Sequence, residues 1–462
     1  MKMNRRQFIQ GGAATAAALA ALSLPGAGAL AATRQRVIVI GAGMAGIACA
    51  NALVASGHTV TVLEARDRIG GRIFTSHKWA DMPIDMGASW IHEMDGNPLT
   101  PIAQSAGLAM VGTDLDSLTT FYKTQGKISN DVGTYYDTVY NDWAAAIKRG
   151  YNTSTETSLR SFLESSKGLN YAGRDSMYRE FASHLTVSWG DDDYCGDSAE
   201  LSCWYWDSMS EYNGLDAILP GGYIQVVEYL ARGLDIRLNQ IVSKVAYTST
   251  GVTVTTAAGT FTGDRVVVTV PLSILKKGAI AFSPALPTSK LNAIGKIGFG
   301  TGTLEKIWLR FPSVFWDMST DWIEHIKPEA DRGSYSQFFN VARSTGKPVL
   351  CCFNGGYLGL AKEGTSDAQV VAEAMASLRE MYGAGIPDPV DYQLSHWSSD
   401  PYAGGSYSFN KVGSTPAMRD TLAANINSRV FFAGEATQRD FFATAHGAYL
   451  SGRRAATEIN KA

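Results

Sequence analysis

Arg36-Val37-Ile38-Val39-Ile40, Gly41-Ala42-Gly43-Met44-Ala45-Gly46, Ile47-Ala48-Cys49-Ala50-Asn51-Ala52-Leu53-Val54 and, past Gly57, Thr59-Val60-Thr61-Val62-Leu63-Glu64 together form the stretch on which the fold turns. The first run is short, apolar and β-branched, the pattern of a strand buried on both faces. The run of small and apolar residues from Ile47 to Val54 suits a helix packed closely on a sheet, and Gly57 ends it. Thr59–Leu63 reads as a second strand, which completes a βαβ unit of the usual ~30-residue size. A GxGxxG triplet is weak alone. Here it follows a buried strand, opens a helix, and is answered by an acid, Glu64, 18 residues after Gly46. That is the context of a dinucleotide-binding fingerprint. Gly41 permits the tight turn, and Gly43 lets the backbone near Ala45 approach a pyrophosphate at the helix N-terminus. Gly46 allows close helix–strand packing. Glu64 accepts from a ribose and repels a 2′-phosphate, which disfavours NADP.

The whole chain has 462 residues, 45% hydrophobic and 18% charged, which is globular material for two or three domains. With 40 Lys+Arg against 43 Asp+Glu the formal charge is −3, which argues against nucleic acid as a partner. Residues 1–31 read as a targeting segment. Lys2, Arg5 and Arg6 precede an apolar run from Ala13 to Leu24, too short for a ~20-residue membrane span, and Ala29-Leu30-Ala31 suits a cleavage site. Asn4-Arg5-Arg6-Gln7-Phe8-Ile9 resembles the twin-arginine signal, which exports folded proteins; an ordinary secretory signal with adjacent arginines is the alternative. The implied product is periplasmic or secreted, with no stable membrane insertion, and loses three cations, leaving a formal charge of −6. The five cysteines make no metal-like cluster. Cys195 and Cys203 could bridge in an oxidising compartment.

Further along, residues 101–213 read as mostly helical, as in Leu159–Leu163, and strand signals return at Val252–Thr256, Arg265–Val270 and Val430–Phe432. Thr303–Phe311 alternates like a strand, with Leu304, Lys306 and Trp308 on one face. Lys306 is therefore either snorkelling at an edge or buried for a purpose. Residues 366–382 suit an amphipathic helix and 447–456 a terminal one. Asp191-Asp192-Asp193 reads as a solvated surface run, one member of which could steer a cationic ligand.

Joined to Glu64, the stretch Glu64-Ala65-Arg66-x-Arg68-x-Gly70-Gly71-Arg72 resembles the second signature of the FAD-dependent amine oxidases, a family that includes monoamine, polyamine and L-amino-acid oxidases and flavin histone demethylases. Four further segments extend the resemblance in the right order: Asp85-Met86-Gly87-Ala88-Ser89-Trp90-Ile91-His92; Leu219-Pro220-Gly221-Gly222-Tyr223; Trp397 with Pro401–Ser408; and Phe432-Ala433-Gly434-Glu435 with Thr444-Ala445-His446-Gly447-Ala448.

The resemblance implies an α/β fold in two domains. A Rossmann-type FAD-binding domain (33–100, 214–300 and 390–462) would interleave with a substrate domain of mixed sheet and helices (101–213 and 301–389). It implies that Gly87, Ala88, Ser89 and Trp90 lie beside the flavin, Val242 near the adenine, Trp397 along the ring edge, and Gly434, Glu435, Ala445, His446 and Ala448 around the ribityl and ring. Lys306 would stand near flavin N5. Tyr407 would be one wall of an aromatic cage, matched by Thr444 where the family often has tyrosine, with Trp90 and His92 completing the substrate pocket. Trp397 and Tyr407 could also be plain core aromatics, and His446 structural. Monoamine oxidases bond flavin through a cysteine where this chain has Ser406, so the FAD is expected to be non-covalent. The expected reaction oxidises an amine, with a polyamine the best match, to an imine and then an aldehyde while O2 becomes H2O2. An L-amino-acid or cyclic-amine oxidase, or a flavin module without turnover, are the alternatives. No metal is implied.

Overall fold

The structure is a computed structural model and describes residues 34–123 and 126–462, so the targeting segment lies outside the described residues. Five parallel strands form the sheet at the heart of the first domain, in the order Val430–Phe432, Arg265–Val268, Arg36–Ile40 (β1), Thr59–Leu63 (β2), Asp235–Arg237. The buried hydrophobic runs alternate between two faces: Val37 and Val39 pack with the helix Met44–Ala55 (α1), and Ile38 and Ile40 pack with the opposite layer. This is the doubly wound arrangement expected of a βαβ start. The C-terminal helix Ala445–Lys461 lies against α1 and closes that face. A four-stranded sheet, Gly259–Gly263, Val252–Thr256, Val242–Tyr247 and Ala281–Ser283, covers the other.

The second domain is built on a six-stranded mixed sheet in the order Asp391–Leu394, Glu305–Arg310, Val349–Asn354, Gln337–Asn340, Trp322–Ile326, Leu118–Tyr122. Five of the six strands pair antiparallel in sequence along it, and Leu118–Tyr122 joins parallel to Trp322–Ile326. The helix Asp367–Tyr382 packs on one face and the helices Asn130–Gly150 and Ser176–Thr186 gather in a separate aromatic core. A three-stranded sheet, Trp90–Ile91, Asp216–Ile218 and Val111–Thr113, sits between the two domains.

The structure corrects the sequence reading at some points and completes it at others. Asp191 and Asp192 are buried, not solvated: they end a π-helical segment, Val187–Asp192, that continues the helix Ser176–Thr186, and only Asp193 is exposed. The largely helical stretch 101–213 also contributes the strands Val111–Thr113 and Leu118–Tyr122, whose partners lie far away in sequence. Asp391–Leu394 belongs to the second domain's sheet through Glu305–Arg310, so that sheet extends beyond residue 389. Cys195 and Cys203 do not bridge; all five cysteines are free and buried.

Candidate functional site

The turn after β1 shows why glycine is required twice. Gly41 has φ +107°, and a Cβ on Gly46 would stand 1.9 Å from the Gly41 carbonyl oxygen. The two glycines bring α1 down onto the strand end and leave its first turn open. Gly43 caps α1 with extended backbone and no side-chain cap, so the first N–H groups have no side-chain acceptor. A Cβ on Gly43 would meet only the Gly70 carbonyl, at an ordinary contact distance of 3.8 Å, so the backbone there is little covered. Glu64, at the end of β2, is buried; its Oε2 accepts the Ala42 N–H at 2.7 Å and its Oε1 the Arg66 N–H at 2.9 Å. The carboxylate is thereby fixed at the mouth of the glycine turn.

From this turn a single cavity of about 490 Å³ runs across the domain junction to the six-stranded sheet. Every residue expected to hold a cofactor or substrate lines it except Gly46, whose part is the close packing just described. Near the glycine turn the wall carries Glu64, Ala65, Arg66 and Val242. At the middle come Gly70, Gly71, Arg72, Gly434 and Glu435, and beyond them Gly87, Ala88, Ser89, Trp397 and the start of the C-terminal helix at Thr444, Ala445, His446 and Ala448. Lys306, Trp90, His92 and Tyr407 stand at the far end.

Arg72 donates to the Ser406 carbonyl at 2.8 Å and pairs with Glu435 at 3.0 Å. Burial pushes the Glu435 carboxyl up, but Arg72, the Ser408 hydroxyl (2.6 Å) and Arg419 outweigh it and hold the carboxyl below its usual range. Glu435 also accepts the Ala443 N–H at 3.0 Å, which ties the loop before the C-terminal helix to the cavity wall. Thr444 caps that helix, its Oγ1 accepting the Gly447 N–H at 2.9 Å. His446 is buried in the helix's first turn, with Nδ1 3.3 Å from the Asn97 amide.

Lys306 is 4% exposed, on the sheet face it shares with Trp308 and, across the strand pair, Phe353. Its Nζ donates to the Gly87 carbonyl at 2.6 Å and the Ser89 hydroxyl at 2.5 Å, and lies 5.0 Å from the Trp90 ring. Burial lowers its pKa; the Cys351 thiol and the Asp85 carboxyl push the other way. Burial likewise raises Asp85 to about 6, against the opposing bonds from Thr75 and the Tyr223 N–H. The amine is thus buried and hydrogen-bonded on a strand inside the sheet, and is no edge lysine. Trp90 stacks on Trp322 (5.9 Å, 24°) and meets Phe339 edge-on, so the far end of the cavity is an aromatic box.

Sequence reasoning missed several wall residues. Trp322 and Phe353 arrive on strands of the second sheet and Trp189 on the π-helical segment, where Asp192 and the following Asp193, read in the sequence as a surface run able to steer a cation, also join the wall. The Tyr407 hydroxyl bonds the Asp192 and Asp193 carbonyls, at 3.2 and 2.9 Å, so this segment holds the tyrosine in place. Glu93, Asp207, Glu211 and Asp216 add to an acidic far end. No local motif announced them, because each is brought to the cavity by long-range pairing.

Residues 44–460 match the family model for flavin containing amine oxidoreductases. The chain belongs to that family. It is a flavin-dependent enzyme that oxidises amines, and residues 2–21 match the twin-arginine translocation signal, which sends it across the membrane already folded. Polyamine oxidase 4 of Oryza sativa subsp. japonica is 34% identical over 445 residues, covering 92% of this chain and 88% of the relative. Lysine-specific histone demethylase 2 of Homo sapiens is 34% identical over 450 residues, but this chain spans only 53% of its length. Among solved structures, a cyclohexylamine oxidase from Brevibacterium oxydans IH-35A superposes with a TM-score of 0.76 at 20% identity, covering 93% of this chain and 99% of that one; a redesigned putrescine oxidase gives 0.76 at 19% identity with the same coverage. These two establish the fold. Among the described residues, no helix is long and apolar enough to cross a membrane, and no group of His, Cys, Asp or Glu could hold a metal.

Proposed function

We propose that the flavin is FAD, held without a covalent bond, and that the substrate is a polyamine or related diamine. The uncapped start of α1 and the sparsely covered backbone at Gly43 suit a pyrophosphate, and the fixed Glu64 carboxylate suits a ribose. Gly41, Gly43, Ala45, Glu64, Ala65, Arg66 and Val242 would hold the adenosine and phosphates. Gly70, Gly71, Arg72, Gly434 and Glu435 would hold the middle of the cofactor, and Gly87, Ala88, Ser89, Trp90, Trp397, Ala445, His446 and Ala448 the ring end. Ser406 has a hydroxyl where a covalent attachment needs a thiol, and that hydroxyl is engaged by Thr303 at 2.8 Å and the Leu304 N–H at 3.0 Å. Acid precipitation is expected to release all of the yellow chromophore into the supernatant.

When bound, the flavin supplies two-electron oxidation of the amine C–N bond to an imine, with electrons passed on to O2 to give H2O2. The chain's own residues supply the setting. Trp90, Trp322, Phe353 and Tyr407 exclude water around the reacting carbon, and Lys306 places a positive charge at the same end. Oxidation needs the amine lone pair, yet at pH ~7.4 only about one alkylamine in a thousand is neutral, given a pKa of ~10.4. An apolar aromatic box favours the neutral form by desolvation. Activity is therefore expected to rise with pH into the alkaline range.

The single observation that carries the substrate class is the charge of the far end. Among the described residues, the arginines lining the cavity are Arg66 and Arg72, and both are engaged, Arg66 with Asp400 at 2.7 Å and Arg72 with Glu435 at 3.0 Å. No guanidinium is left for an amino-acid carboxylate. Glu93, Asp193, Asp207, Glu211 and Asp216 instead bring carboxyl groups to the lining, with Glu93, Asp207 and Asp216 held by the Tyr212 N–H, the Tyr151 hydroxyl and His92, and the net negative charge of that lining suits the second ammonium of a diamine or polyamine. Peroxide formation measured across spermine, spermidine, putrescine, tyramine and L-amino acids tests this directly. Turnover of the polyamines is expected; preference for an L-amino acid would overturn the substrate class, and a colourless protein that takes up no FAD would overturn the cofactor.

A further inference from the structure

An amine that enters the cavity as its ammonium must lose a proton before its C–H bond can be oxidised, and that proton needs an acceptor. His92 lines the far end with 34% of its side chain exposed. Its Nδ1 is 2.9 Å from Asp216 Oδ2, while Nε2 has no hydrogen bond to any described residue. Asp216 is held rigidly. It opens the strand Asp216–Ile218, whose partner strand Trp90–Ile91 immediately precedes His92, and its Oδ1 accepts the Glu93 N–H at 2.8 Å. The His92 carbonyl is fixed in turn by the Asn97 amide at 2.6 Å. A carboxylate has no proton to give, so the neutral imidazole must carry its proton on Nδ1 and leave the Nε2 lone pair without a protein donor, on a ring that lines the cavity.

We propose that Asp216 is a positioning residue that fixes His92 as the proton acceptor for the incoming ammonium. This rests on the amine-oxidase reading of the same cavity. The ammonium N–H bond breaks, its proton forms a bond to His92 Nε2, and the nitrogen keeps the electron pair as its lone pair. No electron leaves the substrate in this step. The imidazolium that forms is stabilised by the Asp216 carboxylate, and the neutral amine is left in the aromatic box. The other charged or titratable groups lining the cavity include Glu93, next to His92 in the chain just past the strand Trp90–Ile91, His446 from the C-terminal helix, Lys306 from the second sheet, and Asp207 and Glu211 from the segment before Asp216. Glu93 is occupied by the Tyr212 N–H at 3.0 Å and Lys306 by Gly87 and Ser89.

Asp216→Asn tests the assignment. An asparagine of the same shape can keep the Glu93 bond through its oxygen but presents an NH2 to Nδ1, which moves the imidazole proton to Nε2 and removes the acceptor. With spermidine as substrate, kcat/KM is expected to fall at pH ~7 by at least the ~100-fold typical of a lost general base. The loss is expected to shrink steadily as the pH approaches ~10.4, where about half of the amine is already neutral. A loss of equal size at every pH would mean that Asp216 only supports the fold, and no loss at pH ~7 would mean that His92 is not on the proton path. Either result overturns the proposal. His92→Gln, which leaves the Asp216–Glu93 bond in place, is expected to show the same pH-dependent loss and serves if the Asp216 variant fails to accumulate as a folded flavoprotein. A wild-type enzyme inert toward all amines would overturn the underlying reading, whereas an active wild type with a pH-independent variant defect would overturn this assignment alone.

Discussion

Replacing Lys306 by Met separates the stabilising from the catalytic part of a buried charge. Methionine keeps the length and apolar stem but removes the ammonium. The losses are two hydrogen bonds from a charged donor, to the Gly87 carbonyl at 2.6 Å and the Ser89 hydroxyl at 2.5 Å, each worth about 1.5–3 kcal/mol. Against them stands the desolvation of a 4%-exposed ammonium, several kcal/mol per ion, with no carboxylate bonded to it in return. The partners are not stranded, because the Ser89 hydroxyl lies 3.3 Å from both the Asp85 and the Gly87 carbonyls and can donate to either. The two sums nearly cancel, so stability is expected to change by less than about 2 kcal/mol, a shift of only a few degrees in Tm for a chain of this size. Catalysis has no such compensation. Loss of a preorganised charge at the reacting end is expected to lower kcat by about 100- to 1,000-fold. The assay is thermal unfolding, flavin content and peroxide formation on one preparation. Wild-type kcat in the Met variant would refute the catalytic role; loss of flavin or a collapse of Tm would show the ammonium to be a structural pin.

Gly46→Ala drives a methyl to 1.9 Å from the Gly41 carbonyl, and since backbone cannot step aside cheaply, α1 must move; at least the ~1–3 kcal/mol of an overpacked core is expected, together with reduced flavin content by absorbance. Asp85, raised to about 6 by burial, is an acid with a folded value above its unfolded ~3.9, so its contribution is fully present below pH ~4 and is lost as pH rises through ~6, amounting to about 3 kcal/mol. Urea midpoints from pH ~4 to ~7 should fall relative to those of Asp85→Asn, and parallel curves would contradict the assignment. Thr444→Ala removes the acceptor for the Gly447 N–H and is expected to cost about 1 kcal/mol in chemical unfolding, with an unchanged midpoint counting against the cap.

The first βαβ unit was legible because its signals are local: a buried β-branched run, a glycine turn and an acid closing the next strand all lie between Arg36 and Glu64. The alternation from Thr303 to Phe311 likewise showed which face Lys306 takes, since the period of a strand needs no knowledge of its partners. What escaped was set by distant pairing. Asp216 reaches His92 only because Asp216–Ile218 pairs with Trp90–Ile91 across more than a hundred residues. Asp191 and Asp192 read as surface because three consecutive acids usually are. Burial there depends on Arg160, at 3.8 Å from Asp191, and on the packing of the π-helical segment against Gly355. Leu118–Tyr122 has the β-branched and aromatic make-up of a strand, but it is too short, and its partner Trp322–Ile326 too remote, to stand out from helical surroundings.

The central claim is that the cofactor lies along the glycine turn with its reactive ring facing the buried amine of the second sheet. Electron density of the mature protein carrying its flavin tests this most directly. The nucleotide end is expected against Gly43 and Glu64 and the ring system against Gly87–Trp90, with Lys306 directed at its edge. A ring system bound in the reverse sense, or out of reach of Lys306, would contradict it.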